Sequence, residues 1–170
     1  TIDPFERAAW FERSAVAEPW FRKSLAPVLN GDRAVEGHLV LANYLYQTNK
    51  EIVLGDEALA RALELSQHDA GIYERIISFL IVNAQYEKAQ MYAEAYRQQY
   101  TNEANAWKVS GDLELKYGEF EKATKYYNKY IELKNGDKAA VQYVCERIER
   151  HGGIPLAIEW LDDAVQHGVA

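Results

Sequence analysis

The chain has 170 residues, 48% of them apolar, with ten Gly and four Pro against twelve Tyr and four Trp, so it can bury a core and holds few residues that interrupt ordered elements. A net charge of −7, from 26 acidic and 19 basic side chains, argues against a nucleic-acid backbone as the main partner. One cysteine excludes an intramolecular disulfide, no Cys/His pairing has zinc-like spacing, and the longest apolar stretches, such as Ile76 to Val82, fall far short of the ~20 residues that cross a bilayer.

In chain order, residues 1–35 predict a degenerate helix pair. Asp3-Pro4-Phe5-Glu6 reads as a helix start, and Pro19 can open a second helix that Pro27 then kinks or shortens. From residue 36 onward a period of 34 emerges. Ala84-Gln-Tyr86-Glu-Lys-Ala89 aligns with Gly118-Glu-Phe120-Glu-Lys-Ala123, and the same frame places Gly152, Ile154 and Ala157 ahead of it and Lys50, Ile52 and Gly55 behind it. Within each unit the first helix carries Leu39, Tyr73, Trp107 or Val141, followed three residues later by Ala42, Ile76, Ser110 or Val144. The second carries Leu59, Ala93, Tyr127 or Leu161, followed by Ala62, Tyr96, Tyr130 or Ala164. These spacings make each unit two amphipathic helices, and one pair cannot bury its apolar stripe alone, so successive pairs are expected to stack. The units fall at 36–69, 70–103, 104–137 and 138–170.

Trp107, Gly111, Gly118, Phe120, Ala123 and Tyr127 follow the pattern of the tetratricopeptide repeat, which the chain therefore resembles over these four units. It departs where Glu114 replaces a large residue, where Gly55 replaces the second-helix Ala, and in lacking the repeat-ending Pro. The resemblance implies an all-α, right-handed superhelical solenoid of antiparallel helix pairs. The opening Thr-Ile-Asp-Pro without Met, and an end directly after a second helix, read as the edges of a segment of a longer protein.

No Gly-x-Ser-x-Gly turn, His-Glu-x-x-His helix or phosphate-cradling loop is present, so the expectation is a non-enzyme without cofactor or metal. His38, His68, His151 and His167 read as solvated side chains, and Asp162-Asp163 and Glu119-Phe-Glu121 as ordinary helix acids. Cys145 reads as a compact filler between helices. Tyr46, Tyr73, Tyr86, Tyr96, Tyr127 and Tyr130 fall on packing positions and are expected in the core.

In the resembled family the first helices line a concave groove. Transferring its positions selects Tyr44 and Gln47 in the first unit, Glu74, Arg75 and Ser78 in the second, Asn105, Lys108, Asp112 and Lys116 in the third, and Gln142, Tyr143 and Glu146 in the fourth. The lining is polar and of mixed sign, with Tyr44 and Tyr143 as flat anchors, which suits an extended peptide or partner loop. Lys108 occupies the lysine position of the family's carboxylate clamp, but Asp112 and Tyr143 stand where its asparagines belong, which disfavours that ligand. Residues 36–69 carry a charge of −4, whereas 104–137 hold six acids and six lysines; a basic partner segment would be steered to the acidic end.

The leading expectation is a protein-protein interaction scaffold. Two rivals are a periplasmic segment of a bacterial exopolysaccharide export or synthesis machine, which the acidic, tyrosine-bearing array also resembles, and a structural spacer that self-associates through its ends. Nothing decides between cytoplasm and periplasm.

Overall fold

The computed structural model describes residues 32–49, 52–166 and 168. The degenerate helix pair expected over 1–35 therefore lies outside the described residues except for its last four, as does His167. Among the described residues every regular element is helical, without a strand. The elements are α1 (Ala34–Tyr44), a π-helical turn (Leu45–Asn49), α2 (Ile52–Leu65), α3 (Ala70–Val82), α4 (Tyr86–Gln99), α5 (Ala104–Lys116), α6 (Phe120–Leu133) and α7 (Lys138–Gln166). Ala70, Ala104 and Lys138 open helices 34 residues apart, and so do Ile52, Tyr86 and Phe120. The spacing of the elements thus equals the spacing of the residue pattern. No helix among the described residues is long and apolar enough to cross a membrane.

The chain forms two compact units that divide after Ile72. In the first unit, α1 packs on α2, and the core is built from Ala42, Tyr44, Leu45, Tyr46, Ala58, Leu59, Ala62 and Leu63. The α2 residues recur at intervals of one, three and one, which is one face of a helix. The Tyr46 hydroxyl donates to the Asp56 carboxylate, and the Tyr46 ring lies where a Cβ on Gly55 would fall, which accounts for Gly at that position.

The second unit contains α4 to α7 and α3 from Tyr73 onward. Tyr73 and Tyr96 stack with centroids 5.3 Å apart, Tyr100 meets both edge-on, and the Tyr96 hydroxyl donates to Glu74 at 3.0 Å. These contacts bind α3 to α4. Next, α5 and α6 pack as a hairpin around the short connection at 117–119, with the Tyr127 ring lying over Gly111. A Cβ at Gly111 would come within 2.5 Å of that ring, so this close approach needs glycine. Helix α7 contains a break, because Gly153 has φ 82 and ψ 171. The break leaves two helical stretches, 138–152 and 154–166, the second with Pro155 near its start, where a missing N–H removes no helical bond. The sequence pattern put the turn residue at Gly152; the left-handed residue is its neighbour Gly153. A core cluster joins α5, α6 and both stretches of α7 through Leu115, Ala123, Tyr127, Tyr130, Ile131, Val144, Ile148, Ala157, Trp160 and Ala164.

Helix starts are also periodic in their chemistry. Asp69 accepts the Ile72 N–H at 3.2 Å and Asp137 accepts the Ala140 N–H at 3.1 Å, each a side-chain cap three residues into its helix. Between them Glu103 occupies the same place before α5 and makes no such bond, since its side chain is one methylene longer.

Candidate functional site

The groove residues expected in the first unit are Tyr44 and Gln47. Gln47 is exposed, within the π-helical turn. Tyr44 is 3% exposed, so the expectation that it is an open ligand anchor is corrected. The physical reason lies in the end of α1: Tyr44, Leu45 and Tyr46 are all buried as the helix widens into the π turn, so this end is enclosed on more than one side.

In the second unit the structure draws several of the expected residues together. Asp112 lies on α5 between the hairpin partner and α7. One of its oxygens accepts the Tyr127 hydroxyl at 2.7 Å and the Arg147 Nε–H at 3.1 Å; the other accepts the Tyr143 hydroxyl at 2.6 Å. The Lys108 ammonium sits 4.8 Å from the centroid of the Tyr143 ring, a cation-π distance, and Tyr143 meets Tyr130 edge-on. Tyr143 is therefore an anchor already held at three points. Gln142 donates to Glu146 at 2.8 Å along the outer face of α7.

The remaining expected residues do not join this cluster. Glu74 accepts from Tyr96, and Arg75 and Ser78 are exposed on α3. Asn105 and Lys116 make no contact with that cluster but share the face of α5 that carries Lys108 and Asp112, at spacings of three, four and four.

Electrostatics follow from this geometry. Burial first, and then the bond to the Asp112 carboxylate, hold the Tyr143 phenol above its ordinary pKa, and burial and Asp112 do the same for Tyr127. Both hydroxyls therefore stay protonated donors. Burial works against the charge of Arg147, but Asp112 and the two phenols beside it outweigh that and raise its pKa, so it is cationic. Asp112 is thus used up by its own neighbours. Arg147 keeps its terminal nitrogens, and Lys108 its ammonium, without a hydrogen bond or ion pair among the described residues, and Lys116 is exposed nearby on α5. The α5/α7 face thus carries Lys108, Arg147 and Lys116, with Asp112 bound by its own neighbours and the Glu146 carboxylate at the exposed rim.

Sequence reasoning missed Arg147, which falls outside the transferred positions, although its spacing of four from Tyr143 places it on the same helical face. It also missed Arg97, whose guanidinium donates to Ser110 at 2.6 Å and lies 4.2 Å from the Tyr126 ring centroid and 5.9 Å from that of Trp107. Glu114, noted only as a departure, is a buried carboxylate that accepts from Tyr86 at 2.8 Å and from Gln90 at 2.9 Å. Cys145 is partly buried beside the core and burial raises its thiol pKa, which suits a packing role. Among the described residues no group of His, Cys, Asp and Glu could hold a metal ion. Comparison of the chain with models of protein families and with curated proteins gives no match.

Proposed function

We propose that this chain is a non-enzymatic scaffold of tetratricopeptide type that binds an extended peptide or partner loop along the α5/α7 face of its second unit. The carrying observation is the fixed pair of cations around Asp112 and Tyr143. Lys108 is positioned by the Tyr143 ring and Arg147 by the Asp112 carboxylate, while both retain donors for a ligand. Such a face suits a peptide that presents carboxylate side chains, with the Asn105 amide at its edge for main-chain contacts. The 34-residue spacing of helix starts supports the repeat assignment. Because Tyr44 is buried and Tyr143 is engaged by Lys108, Tyr130 and Asp112, neither offers the open ring that stacking on a polysaccharide would use.

An array of acidic, neutral and basic peptides, probed with the wild-type chain and with Lys108→Glu/Lys116→Glu, tests the reading. Acidic peptides should be retained by the wild type and weakened roughly tenfold or more by the double variant, with helicity unchanged, as for loss of a charged interface anchor. Equal retention by both proteins would remove the α5/α7 face from consideration.

A further inference from the structure

Tyr86 opens α4 and Tyr117 follows the last residue of α5, so the two belong to successive helix pairs. Their rings lie against each other, with centroids 4.0 Å apart and planes inclined by 35°. Carbons of the two rings are therefore in van der Waals contact, and their π lobes point toward each other. Other tyrosine contacts are wider: Tyr73 stacks on Tyr96 at 5.3 Å, and Tyr130 meets Tyr143 edge-on at 6.2 Å.

The Tyr86 phenol also has a proton acceptor in place. Its hydroxyl donates to one Glu114 oxygen at 2.8 Å and accepts from the Gln90 amide at 2.6 Å, and that amide donates to the other Glu114 oxygen at 2.9 Å. Glu114 is 4% exposed and makes no ion pair among the described residues. Burial first, and then the carboxylates of Glu114 and Glu119, hold the Tyr86 phenol above its ordinary pKa, because deprotonation would place another negative charge beside them. The same negative charges favour loss of an electron, which makes the ring more positive and its proton more acidic, with Glu114 already bonded to that proton. Tyr86 thus resists losing a proton alone and is set to lose an electron and a proton together.

We propose that Tyr86 and Tyr117 form a modification site, at which a one-electron oxidant such as a haem peroxidase with hydrogen peroxide joins the rings into a dityrosine that ties α4 to α5. Each ring gives one electron to the oxidant and releases one proton, from Tyr86 through Glu114 and from Tyr117 to water. The two phenoxyl radicals then pair their electrons in a bond between ring carbons ortho to the hydroxyls. Protons shift from those carbons to the oxygens, which restores both phenols. The electrons and protons released reduce one hydrogen peroxide to two waters, and the chain loses two hydrogens. The new bond closes the chain between the two tyrosines into a loop, which restricts the unfolded state as other covalent cross-links do. Neither Lys108 nor Arg147 takes part, so this site does not depend on the reading of the α5/α7 face.

The test treats the dilute whole chain with a haem peroxidase and hydrogen peroxide, and reads dityrosine fluorescence, intact mass and a peptide map. The product should be a monomer lighter by two hydrogens, with the peptides carrying Tyr86 and Tyr117 joined. Tyr86→Phe and Tyr117→Phe keep both rings, and each should abolish that product. Glu114→Gln still accepts from Tyr86 but takes up no proton, and should slow formation roughly tenfold or more with the near-ultraviolet circular dichroism unchanged. An equal rate in that variant would overturn the role given to the carboxylate. Cross-links found only between chains, only between other tyrosines, or not at all would overturn the site, as would a joined product in either phenylalanine variant.

Discussion

Removing the Asp112 carboxylate would strand three donors at once: the Tyr127 and Tyr143 hydroxyls and the Arg147 Nε–H. Partly buried groups left without acceptors cost more than the bonds themselves are worth, so Asp112→Ala should lower unfolding stability by about 2–4 kcal/mol in urea titration. Tyr127→Phe removes one donor and leaves two, and should cost about 1 kcal/mol. Similar small losses for both would show that water replaces the carboxylate. At this scale the sequence was partly legible. Asp112, Tyr143 and Lys108 could be marked because the resemblance to the tetratricopeptide pattern implies a groove at their positions. The role of Asp112 could not, because a surface acid and the hub of a phenol network have the same letter. Glu114 makes the point more sharply: its donors Tyr86 and Gln90 lie on the preceding helix, and only the packing of α4 against α5 brings them to it.

Two equivalent turns differ in what their backbone asks of the residue. Gly118, between α5 and α6, has φ 82, and Ala84, at the same place between α3 and α4, has φ 55. A left-handed conformation costs an L-residue roughly 1–2 kcal/mol, while glycine is freer in the unfolded chain by about 0.5–1 kcal/mol. Ala84→Gly should therefore stabilise the protein by about 0.5–1 kcal/mol, seen as a higher melting temperature; destabilisation would mean that the Ala84 methyl makes contacts outweighing the strain. The elements themselves were readable, since apolar spacing and the turn residues give a strong helical signal over 36–166. What the pattern missed is local backbone detail. The π-helical turn at Leu45–Asn49 leaves no mark in apolar periodicity, and neither does the burial of Tyr44 directly before it, which removed an expected binding residue. Adjacent glycines at 152 and 153 offered the sequence no way to choose which would turn.

Twelve tyrosines give the molecule a characteristic weakness to alkali. Tyr86, Tyr96, Tyr127 and Tyr143 are each held above the ordinary pKa of 10.0, first by burial and then by neighbouring carboxylates. A group whose pKa is raised by folding contributes fully below its unfolded value. Its contribution is lost as pH rises through the folded value, because the unfolded chain releases protons that the folded chain retains. Stability should thus be flat with respect to these groups below about pH 10 and fall steeply above it, which denaturant melts at stepped pH would show. Phenylalanine at Tyr143 should reduce that slope, and an unchanged slope would place the sensitivity elsewhere. For the whole chain, helical class was legible from composition and period together. The charge of the α5/α7 face was not, since it depends on which acids are bound from within.

The half-covered state of the last helical stretch also bears on the order in which the molecule opens. Residues 154–166 are joined to the rest of α7 through a single non-helical glycine and leave Ile154, Ile158 and Val165 exposed, whereas α6 buries Ala123, Tyr127 and Ile131 completely. Amide protons there should exchange with solvent ahead of those in α5 and α6, and a protease should cut that stretch before it cuts either of those helices.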